Sequence, residues 1–455
     1  MENRYQELIE NVSAEIAQEL LEDQQLLDEE HRLRLDGVMF ELMMQVGLAA
    51  LNQLLEHMIA AQVDEKREEG MHINDNKVID VHTRLGTCSV SSPYLRNRKT
   101  GESTRPAKDV YGLRGGGKTL ELERALADFG SEDSYAQAEQ MFEEHYGFNI
   151  GRTSILRVTR EVGEDAESFL EERFEQMATP YGLPRQQRSH TAEELLVELD
   201  GCLIRTGKLM SARQAGMTKE DGVAPDDMVR VEEWREVRVG LVRKLDELRP
   251  SYVCRLGDYD TICDQMFSLA VERGLDADTV VVGCSDGANG LRDGLAVVFP
   301  NLVYILDYSH LKNHFFETAE ALGIDEEMRS KWVYSFVDEL WQEEVDDWEE
   351  QVEAVIERLR TLHIESENPR LKRLIDHLDN FSNAVAYQYF DDQDWPTGSG
   401  EIESAHRHIP QARLKLPGAC WRVENINPMM AIRVIKKNGW WSEFWQWREQ
   451  QALCA

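Results

Sequence analysis

The chain has 455 residues, of which 42 % are hydrophobic, so it can bury a sizeable core, and its length predicts roughly two to four domains. No basic leader precedes an apolar run, and no run approaches about 18 uncharged apolar residues, so we expect a soluble, cytoplasmic protein with no membrane partner. The seven cysteines include no Cys-x-x-Cys pair, which excludes the usual structural zinc spacings and provides no disulfide framework.

The net charge of −35 argues against a nucleic-acid partner until the distribution of charge is considered. Residues 94–118 carry seven basic residues against two acidic ones, and residues 404–438 carry seven against one. By contrast, residues 322–360 hold 13 acidic and four basic residues. Two basic islands in an acidic chain favour double-stranded DNA as the partner, although chance fluctuations on a solvated surface would give the same pattern.

Residues 1–75 form an acidic segment, and the apolar spacing between Leu33 and Leu48 predicts helices. This segment has no catalytic pattern, so we interpret it as an oligomerisation or support region. Residues 76–118 differ, because Val78-Ile79 and similar clusters predict short strands between proline- and glycine-containing loops.

Residues 119–170 predict three helices in quick succession, at 120–129, 133–146 and 152–166. A turn with two glycines separates the last two helices, and the final helix carries Arg152, Arg157 and Arg160. This layout is typical of a helix-turn-helix, whose last helix enters the major groove, so the three arginines are candidate DNA contacts. Any three-helix domain gives the same pattern, so plain helix packing remains an alternative.

Residues 190–311 alternate predicted strands and helices, which indicates a mixed α/β layer. The predicted strands are 195–200, 235–244, 252–256, 279–284 and 302–306, with helices at 261–273 and before Phe299. Asp200 ends the first of these strands, while Asp286 and Asp307 follow the last two. Carboxylates therefore stand at strand ends, where open α/β sheets bind their ligands.

Residues 312–392 are hydrophilic and predict helices only, and residues 393–455 complete the chain after a break at Pro396–Gly400. The helix after this break bears Glu401 and Glu403, which point about 200° apart on a helix, so only one of them can face a common site. His406 and His408 lie close to Glu403 in the sequence and could serve as ligands, but we favour solvent-facing or phosphate-contacting roles for them.

Asp200, Asp286 and Glu403 stand out as three separated carboxylates. Three converging carboxylates cannot all ionise comfortably without cations, and two Mg²⁺ or Mn²⁺ ions about 3.5–4 Å apart would neutralise them. Such ions activate an attacking oxygen and stabilise the leaving 3′ oxygen of a phosphodiester. Each acid taken alone is more often a cap or a turn residue than a ligand.

Short sequence motifs contain or follow these acids: Leu199-Asp-Gly201, Ser285-Asp-Gly-Ala288, Ile305-Leu-Asp-Tyr-Ser-His310, Gly398-Ser-Gly-x-x-Glu-Ser404 and Arg413-Leu-Lys-Leu-Pro-Gly-Ala-Cys-Trp421. In this order the motifs resemble those of bacterial insertion-sequence transposases of the Kra branch, which belong with the Mutator-like DDE enzymes. The last motif resembles the segment that follows the catalytic glutamate of that family.

The resemblance implies an RNase H-like catalytic core with a helical insertion before its last acid. It implies a DNA transposase that cleaves and joins strands at the ends of an insertion sequence. Asp200, Asp286 and Glu403 would be the catalytic ligands of two Mg²⁺ ions, or Mn²⁺, and Asp307 and His310 would form an accessory pair.

The second basic island adds candidate DNA contacts at Arg413, Lys415 and Trp421. Together with the three arginines of the predicted helix-turn-helix, they favour element ends and target DNA as partners. We also expect a homo-oligomer assembled on DNA.

Gly112–Thr119 offers a rival interpretation, because it satisfies the phosphate-loop pattern of an NTPase. Its context is unfavourable, since a phosphate loop needs a buried strand before it and Arg105–Tyr111 is polar and contains a proline. The NTPase and a catalytically inactive RNase H-like DNA-binding protein remain the alternatives to a transposase.

Overall fold

The structure is a computed structural model that describes residues 5–22, 33–110, 117–183, 190–217, 222–288, 290–342 and 348–454. The chain divides into two compact units. The first comprises Met1–Gly130, Tyr135–Leu156 and Glu449–Ala455, and the second comprises Ser131–Ser134 and Arg157–Arg448.

The first unit contains an antiparallel sheet of three strands in the order β1-β2-β3. Its elements before residue 111 are α1 Gln6–Glu22, α2 Leu35–Glu68, β1 His72–Thr83, β2 Gly86–Arg96, β3 Ser103–Thr104 and α3 Pro106–Asp109. Leu55 and Ile59 of α2 are buried together with Val81 and Val90 of the sheet. Helices followed by strands are therefore present in this part of the chain, as the sequence predicts.

Helix α2 is 34 residues long and, by length and composition alone, it is apolar enough to cross a membrane. The sequence predicted no such segment, because Glu41 interrupts the apolar run. Little of the helix is buried, and Phe40, Leu54 and Met58 are among its exposed apolar side chains. A single helix of this kind also occurs in soluble proteins, so these properties do not assign it to a membrane.

Three helices follow residue 119, as predicted, and they are α4 Leu120–Glu132, α5 Tyr135–Tyr146 and α6 Arg152–Ala178. Phe129 of α4 and Phe142 of α5 pack with their ring centroids 6.2 Å apart. Helix α6 continues to Ala178 instead of ending at Ala166, because buried apolar side chains recur along it as far as Met177.

The second unit is built around a five-stranded sheet in the order β6-β5-β4-β7-β8. Its strands are β4 Glu194–Ser211, β5 Met228–Lys244, β6 Ser251–Leu256, β7 Val280–Ser285 and β8 Leu302–Leu306, and the helices between the last three are α7 Tyr259–Glu272 and α8 Leu291–Val298. Strands β4, β5 and β6 pair antiparallel, whereas β7 and β8 run parallel to β4. This mixed order is that of the RNase H-like fold, so the predicted fold class is confirmed.

Strand β4 does not end at Asp200, as the sequence predicted, but continues to Ser211. Its outer half pairs with the first half of β5, from Gly201 opposite Arg238 to Ser211 opposite Met228. One face of this two-stranded ribbon is exposed, so polar residues and glycines replace the continuous apolar run of a strand buried on both faces. Asp200 therefore lies within a long strand, at the level where its neighbour β7 ends.

Helices fill the described residues between β8 and the break at Pro396. They are α9 Tyr308–Ala321, α10 Glu326–Val337, α11 Trp348–Ser366, α12 Pro369–Asn380 and α13 Tyr387–Asp392, with 3-10 turns at Glu339–Trp341 and Ser382–Ala384. No strand occurs among the residues described within 308–392, which agrees with the predicted helical insertion. Phe315 and Phe336 of the insertion share a core with Val282 and Ile305 of the sheet.

The C-terminal part of the chain is helical, as predicted. Its elements are α14 Gly400–His406, a π-helical stretch Arg407–Gln411, α15 Ala412–Leu414, a 3-10 turn Val423–Asn425, α16 Ile426–Lys437 and α17 Trp441–Cys454. Pro410 lies inside the π-helical stretch, where its missing N–H disturbs the regular backbone hydrogen bonds.

Arg433 of α16 is almost fully buried and supplies donors to this irregular stretch. Its guanidinium donates to the backbone carbonyls of His408 and Ile409 at 2.6 Å each, and to that of Ser131 at 2.7 Å. It also lies 2.9 Å from a carboxylate oxygen of Glu132. A single side chain thus satisfies three backbone acceptors and one carboxylate.

Replacing Arg433 by Met should lower the free energy of unfolding by about 3 kcal/mol or more, because three buried carbonyls would lose their donors. Denaturant unfolding followed by circular dichroism measures the difference. Arg407→Met, at an exposed position of the same segment, is the matched control and should change stability by less than about 0.5 kcal/mol. Equal stability of the two variants would contradict this role of Arg433.

Candidate active site

The parallel pairing of β4 and β7 ends shortly before two of the predicted acids. The ladder ends with Glu198 opposite Cys284, and two residues further along each chain stand Asp200 and Asp286. Neighbouring strands lie about 4.8 Å apart, so each acid follows closely on one member of a paired couple of residues. Asp200 has a side chain that is 31 % exposed and Asp286 is half-buried, so both carboxylates are accessible from solvent.

The turn after β7 depends on Gly287, whose φ of +76° lies in the left-handed region. A Cβ at this position would come within 2.6 Å of Cδ1 of Leu306 and 3.1 Å of Cε1 of His377. The Oδ1 atom of Asp286 accepts a hydrogen bond from the backbone N–H of Ala288 at 2.8 Å. The Asp286-Gly287 motif therefore forms a tight turn that holds the Asp286 carboxylate.

Glu403 stands on α14, and Asp307 fixes the start of this helix. The Oδ2 atom of Asp307 accepts hydrogen bonds from the backbone N–H of Ser399 at 2.6 Å and from its hydroxyl at 2.8 Å. The Oδ1 atom accepts from the backbone N–H of His310 at 2.8 Å. Burial raises the pKa of Asp307, but the hydrogen bonds from His310 and Ser399 outweigh it and hold the pKa well below the usual range. Both oxygens of Asp307 accept hydrogen bonds, so this side chain holds the start of α14 next to the end of β8.

Arg243 and Glu401 form a second attachment of α14. Two nitrogens of the buried Arg243 side chain donate to the Glu401 carboxylate at 2.6 to 3.1 Å, and a third nitrogen donates to backbone carbonyls of residues 244, 245 and 247. Glu401 therefore points away from Glu403 and has a structural partner. Glu401→Gln should therefore lower stability, because Arg243 would remain buried without its charged partner.

Glu198 is a site residue that the sequence analysis did not identify. Its side chain is fully buried, and its Oε2 atom accepts a hydrogen bond from the backbone N–H of Ile402 at 2.7 Å. Burial raises its pKa to about 8, although the hydrogen bond from Ile402 lowers it. The available signal was an acid inside Leu195-Leu-Val-Glu-Leu199, an otherwise apolar strand.

His406 is buried next to Asp200, and the prediction of a solvent-facing or phosphate-contacting role for it is wrong. Its Nε2 atom lies 3.2 Å from Oδ2 of Asp200, although neither ring nitrogen is aligned for a hydrogen bond with a described residue. Burial lowers the pKa of His406, but Asp200 and the thiol of Cys202 raise it to about 9. His406 is thus a cation beside Asp200 at neutral pH.

His310 lies among three acids. Its Nδ1 atom is 3.1 Å from Oδ1 of Asp307, but it is not aligned for a hydrogen bond. The pKa of His310 is raised, chiefly by Asp307 and in addition by Asp286 and Glu403, against the effect of burial. Asp307 and His310, the predicted accessory pair, are therefore in contact. The negative charges of Asp286 and Glu403, two of the predicted metal ligands, also raise the pKa of His310.

Asp286 and Glu403 form no ion pair with any residue that the structure describes, and Glu403 is exposed. Carboxylates near solvent suit Mg²⁺ and Mn²⁺, which prefer oxygen ligands. Within the described part of the chain, no three His, Cys, Asp or Glu side chains are close enough together to hold a metal ion. The chemistry of the donors fits a divalent cation, and metal binding requires these side chains to move together.

The predicted DNA contacts of α6 are exposed. Arg160 lies 3.3 Å from a carboxylate oxygen of Glu164, and Arg157 lies 4.0 Å from one of Glu161. Pairs of this kind between exposed side chains are weak, so the arginines can exchange their partners for phosphates. Arg152, Arg157 and Arg160 remain candidates for DNA binding.

Arg413 and Trp421 are buried, which is at odds with the predicted contact of these two side chains with DNA. The Arg413 guanidinium lies 4.8 Å from the centre of the Trp421 ring, and the indole N–H donates to the carbonyl of Leu414 at 3.2 Å. Gly207 of β4 donates its backbone N–H to the carbonyl of Trp421 at 2.8 Å. The pair therefore supports the β4–β5 ribbon, while Lys415 is exposed and remains a candidate.

The rival phosphate loop lies partly outside the described residues, since 111–116 are not among them. The element before it is the short helix α3, whereas a phosphate loop follows a buried strand. Thr119 donates its backbone N–H to the carbonyl of His82 at 3.0 Å, and His82 donates to Gly117 at 2.7 Å. Residues 117–119 thus extend the small sheet of the first unit, which does not favour an NTPase.

Comparison with known proteins finds a weak likeness among solved structures. No protein-family model matches the chain, and no curated protein matches it. Among solved structures, the Drosophila P element transposase strand transfer complex is similar over 76 % of this chain and 85 % of that chain, with 11 % identity and a TM-score of 0.25. Because this TM-score is low, the function has to be argued from the residues of this chain.

His377 gives the fold next to Asp286 a predictable pH dependence. Burial, and next to it His314, lower the pKa of His377 from 6.5 to about 4. Because the unfolded chain binds a proton that the folded chain does not, stability should fall as the pH drops from about 6.5 to about 4, by up to about 3 kcal/mol, and this contribution should be constant outside that window.

Unfolding free energies measured between pH 7.5 and 3.5 test this dependence. His377→Phe retains a ring beside Phe381 but cannot titrate, so the difference in stability between the variant and the wild type should shift in favour of the variant as the pH falls. Parallel pH profiles for the two proteins would show that His377 is not the group responsible.

Proposed function

We propose that this chain is a DDE-type transposase that cleaves and joins DNA strands at the ends of an insertion sequence. One observation carries the proposal: the β4–β7 ladder of the sheet ends with Glu198 opposite Cys284, two residues before Asp200 and Asp286. Glu403 stands on a helix that buried hydrogen bonds fasten to the same sheet. The order of these acids and the sequence motifs around them match those of the transposase family that the sequence resembles.

Asp200, Asp286 and Glu403 are the proposed ligands of two Mg²⁺ ions, with Mn²⁺ as a substitute. Two such cations would neutralise the three carboxylates, activate the attacking oxygen and stabilise the leaving 3′ oxygen. The absence of an ion pair at Asp286 and Glu403 among the described residues supports this assignment, because neither charge is already compensated.

The residues around the ligands have distinct parts in the proposed mechanism. Asp307 keeps the first turn of α14 against the end of β8 through Ser399. His406 balances the charge of Asp200 while the ligands are apart, and it must release this carboxylate when a cation binds. His310, with its raised pKa, can donate a hydrogen bond to a phosphate oxygen beside Asp286 and Glu403.

Double-stranded DNA, both the element ends and the target, is the proposed partner. The exposed arginines of α6 and the exposed Lys415 support this assignment. We further propose that the protein acts as a homo-oligomer in the cytoplasm, because joining two ends of one element requires two active sites.

Removing one carboxylate should abolish cleavage without abolishing DNA binding. Asp200→Asn, Asp286→Asn and Glu403→Gln should each slow Mg²⁺-dependent cleavage at least about a hundredfold, because each removes a charge that a cation requires. Cleavage is measured on a duplex that contains the DNA flanking the reading frame, with Mg²⁺ and with Mn²⁺.

Glu424→Gln is the matched control, since Glu424 is an exposed acid in the same C-terminal segment, and it should cleave normally. A wild-type protein that binds the duplex but never cuts it would instead indicate the catalytically inactive alternative. Normal cleavage by all three variants would refute the metal triad.

Reversing the charges of Arg152, Arg157 and Arg160 together should weaken binding to the element ends and should reduce the slope of log affinity against log salt by up to about 3. Fluorescence anisotropy at several salt concentrations measures both quantities. The matched control reverses Lys331, Lys372 and Arg373, three exposed bases of the helical insertion. Equal losses in the two variants would show only a dependence on net charge.

A further inference from the structure

We propose that Glu198 is a positioning residue of the metal site, which sets the distance between the strand of Asp200 and the helix of Glu403. This inference rests on the proposed function, because it concerns the same three carboxylates. Glu198 itself is buried and cannot reach solvent, so it would act through the backbone it holds and would not touch the DNA.

One end of this connection lies in the sheet. Glu198 and Asp200 are separated by one residue on β4, so their side chains share a face and their Cα atoms lie about 6.6 Å apart. Opposite Glu198 on β7 stands Cys284, which precedes Asp286 by the same two residues. Glu198 therefore lies in the last pair of the β4–β7 ladder, two residues before each aspartate.

The other end of the connection lies in the first turn of α14. The Oε2 atom of Glu198 accepts a hydrogen bond from the backbone N–H of Ile402 at 2.7 Å, and Ile402 immediately precedes Glu403. The N–H groups of a first helical turn have no acceptor within their own helix, so this one is available to an external carboxylate. The bond joins residues 204 positions apart in the chain.

Glu198 makes the folded chain less stable than an apolar residue of similar size would. Its other oxygen, Oε1, has no hydrogen-bond partner among the described residues, and Glu198 is fully buried, like the apolar residues on either side of it in β4. A buried polar atom without a partner costs free energy, and an apolar residue of similar size would avoid that cost. A side chain that violates the pattern of its strand in this way indicates a functional constraint.

His406, at the end of α14, also lies 3.2 Å from Asp200 on β4, but Glu198 is the residue of β4 that accepts a hydrogen bond from the first turn of this helix. Asp307 fastens Ser399 to the end of β8, and Arg243 fastens Glu401 to β5. The carboxylate of Glu198 joins the backbone of one proposed ligand's helix to the strand of another. Its loss should therefore alter metal binding more than it alters DNA binding.

The test compares two substitutions in the full chain, using Mn²⁺-dependent nicking of supercoiled plasmid as the readout. Glu198→Leu removes the acceptor at similar volume, and the concentration of Mn²⁺ that gives half the maximal rate should rise about tenfold or more. Glu198→Gln retains an oxygen that can accept from Ile402, so its half-saturating Mn²⁺ should stay within about threefold of the wild type. Plasmid binding without metal should be equal in all three proteins.

Glu194→Leu is the matched control, because Glu194 lies on the same strand and accepts a hydrogen bond from the Trp395 indole at 2.9 Å, away from α14. This variant should lose stability without a change in half-saturating Mn²⁺. If Glu198→Leu does not fold, Glu198→Asp replaces it, since the shorter side chain withdraws the acceptor from Ile402 and should also raise the Mn²⁺ requirement.

The outcomes separate this inference from the proposed function. Unchanged Mn²⁺ dependence in Glu198→Leu, or in Glu198→Asp, alongside metal-dependent nicking by the wild type would overturn the positioning role alone. Nicking that is absent from the wild type, or that persists in Asp200→Asn, would refute the proposed function. In that case, calorimetric titration with Mn²⁺ still compares the same variants, and equal affinities would overturn the inference as well.

Discussion

The arrangement of the second unit's candidate site depends on hydrogen bonds from the first turn of α14 to buried acids of the sheet. Ser399 and Ile402 donate to Asp307 and Glu198, which come from the end of β8 and from the middle of β4. These N–H groups have no acceptor in their own helix, and they lie at its positive end, so carboxylates are favourable partners. The position of Glu403 follows from two acids that are distant from it in the chain.

The acids of this region divide into two groups according to their partners. Asp307 and Glu401 are engaged with hydrogen bonds or with a buried arginine, which compensates their charges in the folded protein. Asp286 and Glu403 have no such cation among the described residues. Among the described residues, no three His, Cys, Asp or Glu side chains are close enough together to hold a metal ion. Asp200 is intermediate, because His406 is its cation.

The site could be predicted from the sequence only where its residues belong to short sequence motifs. Asp286-Gly287 is such a motif, since a tight turn with positive φ requires glycine directly after the acid. The partners of Glu198 and Asp307 could not be predicted, because their hydrogen bonds join positions 204 and 92 residues apart. The contact of His406 with Asp200 was missed for the same reason, although His406 was visible beside Glu403.

The bounds of strands and helices could likewise be predicted only where the local sequence determines them. Strands buried on both faces, such as β7 and β8, have continuous apolar runs, and their predicted bounds differ from the observed ones by at most one residue. The outer half of the β4–β5 ribbon lacks such a run, so the prediction stopped at Asp200. Helix α6 was predicted too short, since charged residues on its exposed side concealed the apolar spacing that continues to Met177.

The second basic island shows why charge along a sequence differs from charge on a surface. Of its seven basic residues, Arg413 and Arg433 are buried, where they hold a tryptophan ring and backbone carbonyls. A third, Lys436, is engaged with the carboxylate of Glu132. The remaining four, which are Arg407, Lys415, Arg422 and Lys437, are exposed.

A count of basic residues therefore overstated the charge that this segment can present to phosphates, because it treated internal hydrogen-bond donors as surface cations. The exposed bases that remain begin four residues after Glu403. Arginine is suited to the buried positions, since its planar guanidinium can serve several acceptors at once while remaining charged. The same residue type thus stabilises the interior of the C-terminal segment and supplies part of its exposed positive charge, and only the burial of each side chain distinguishes the two.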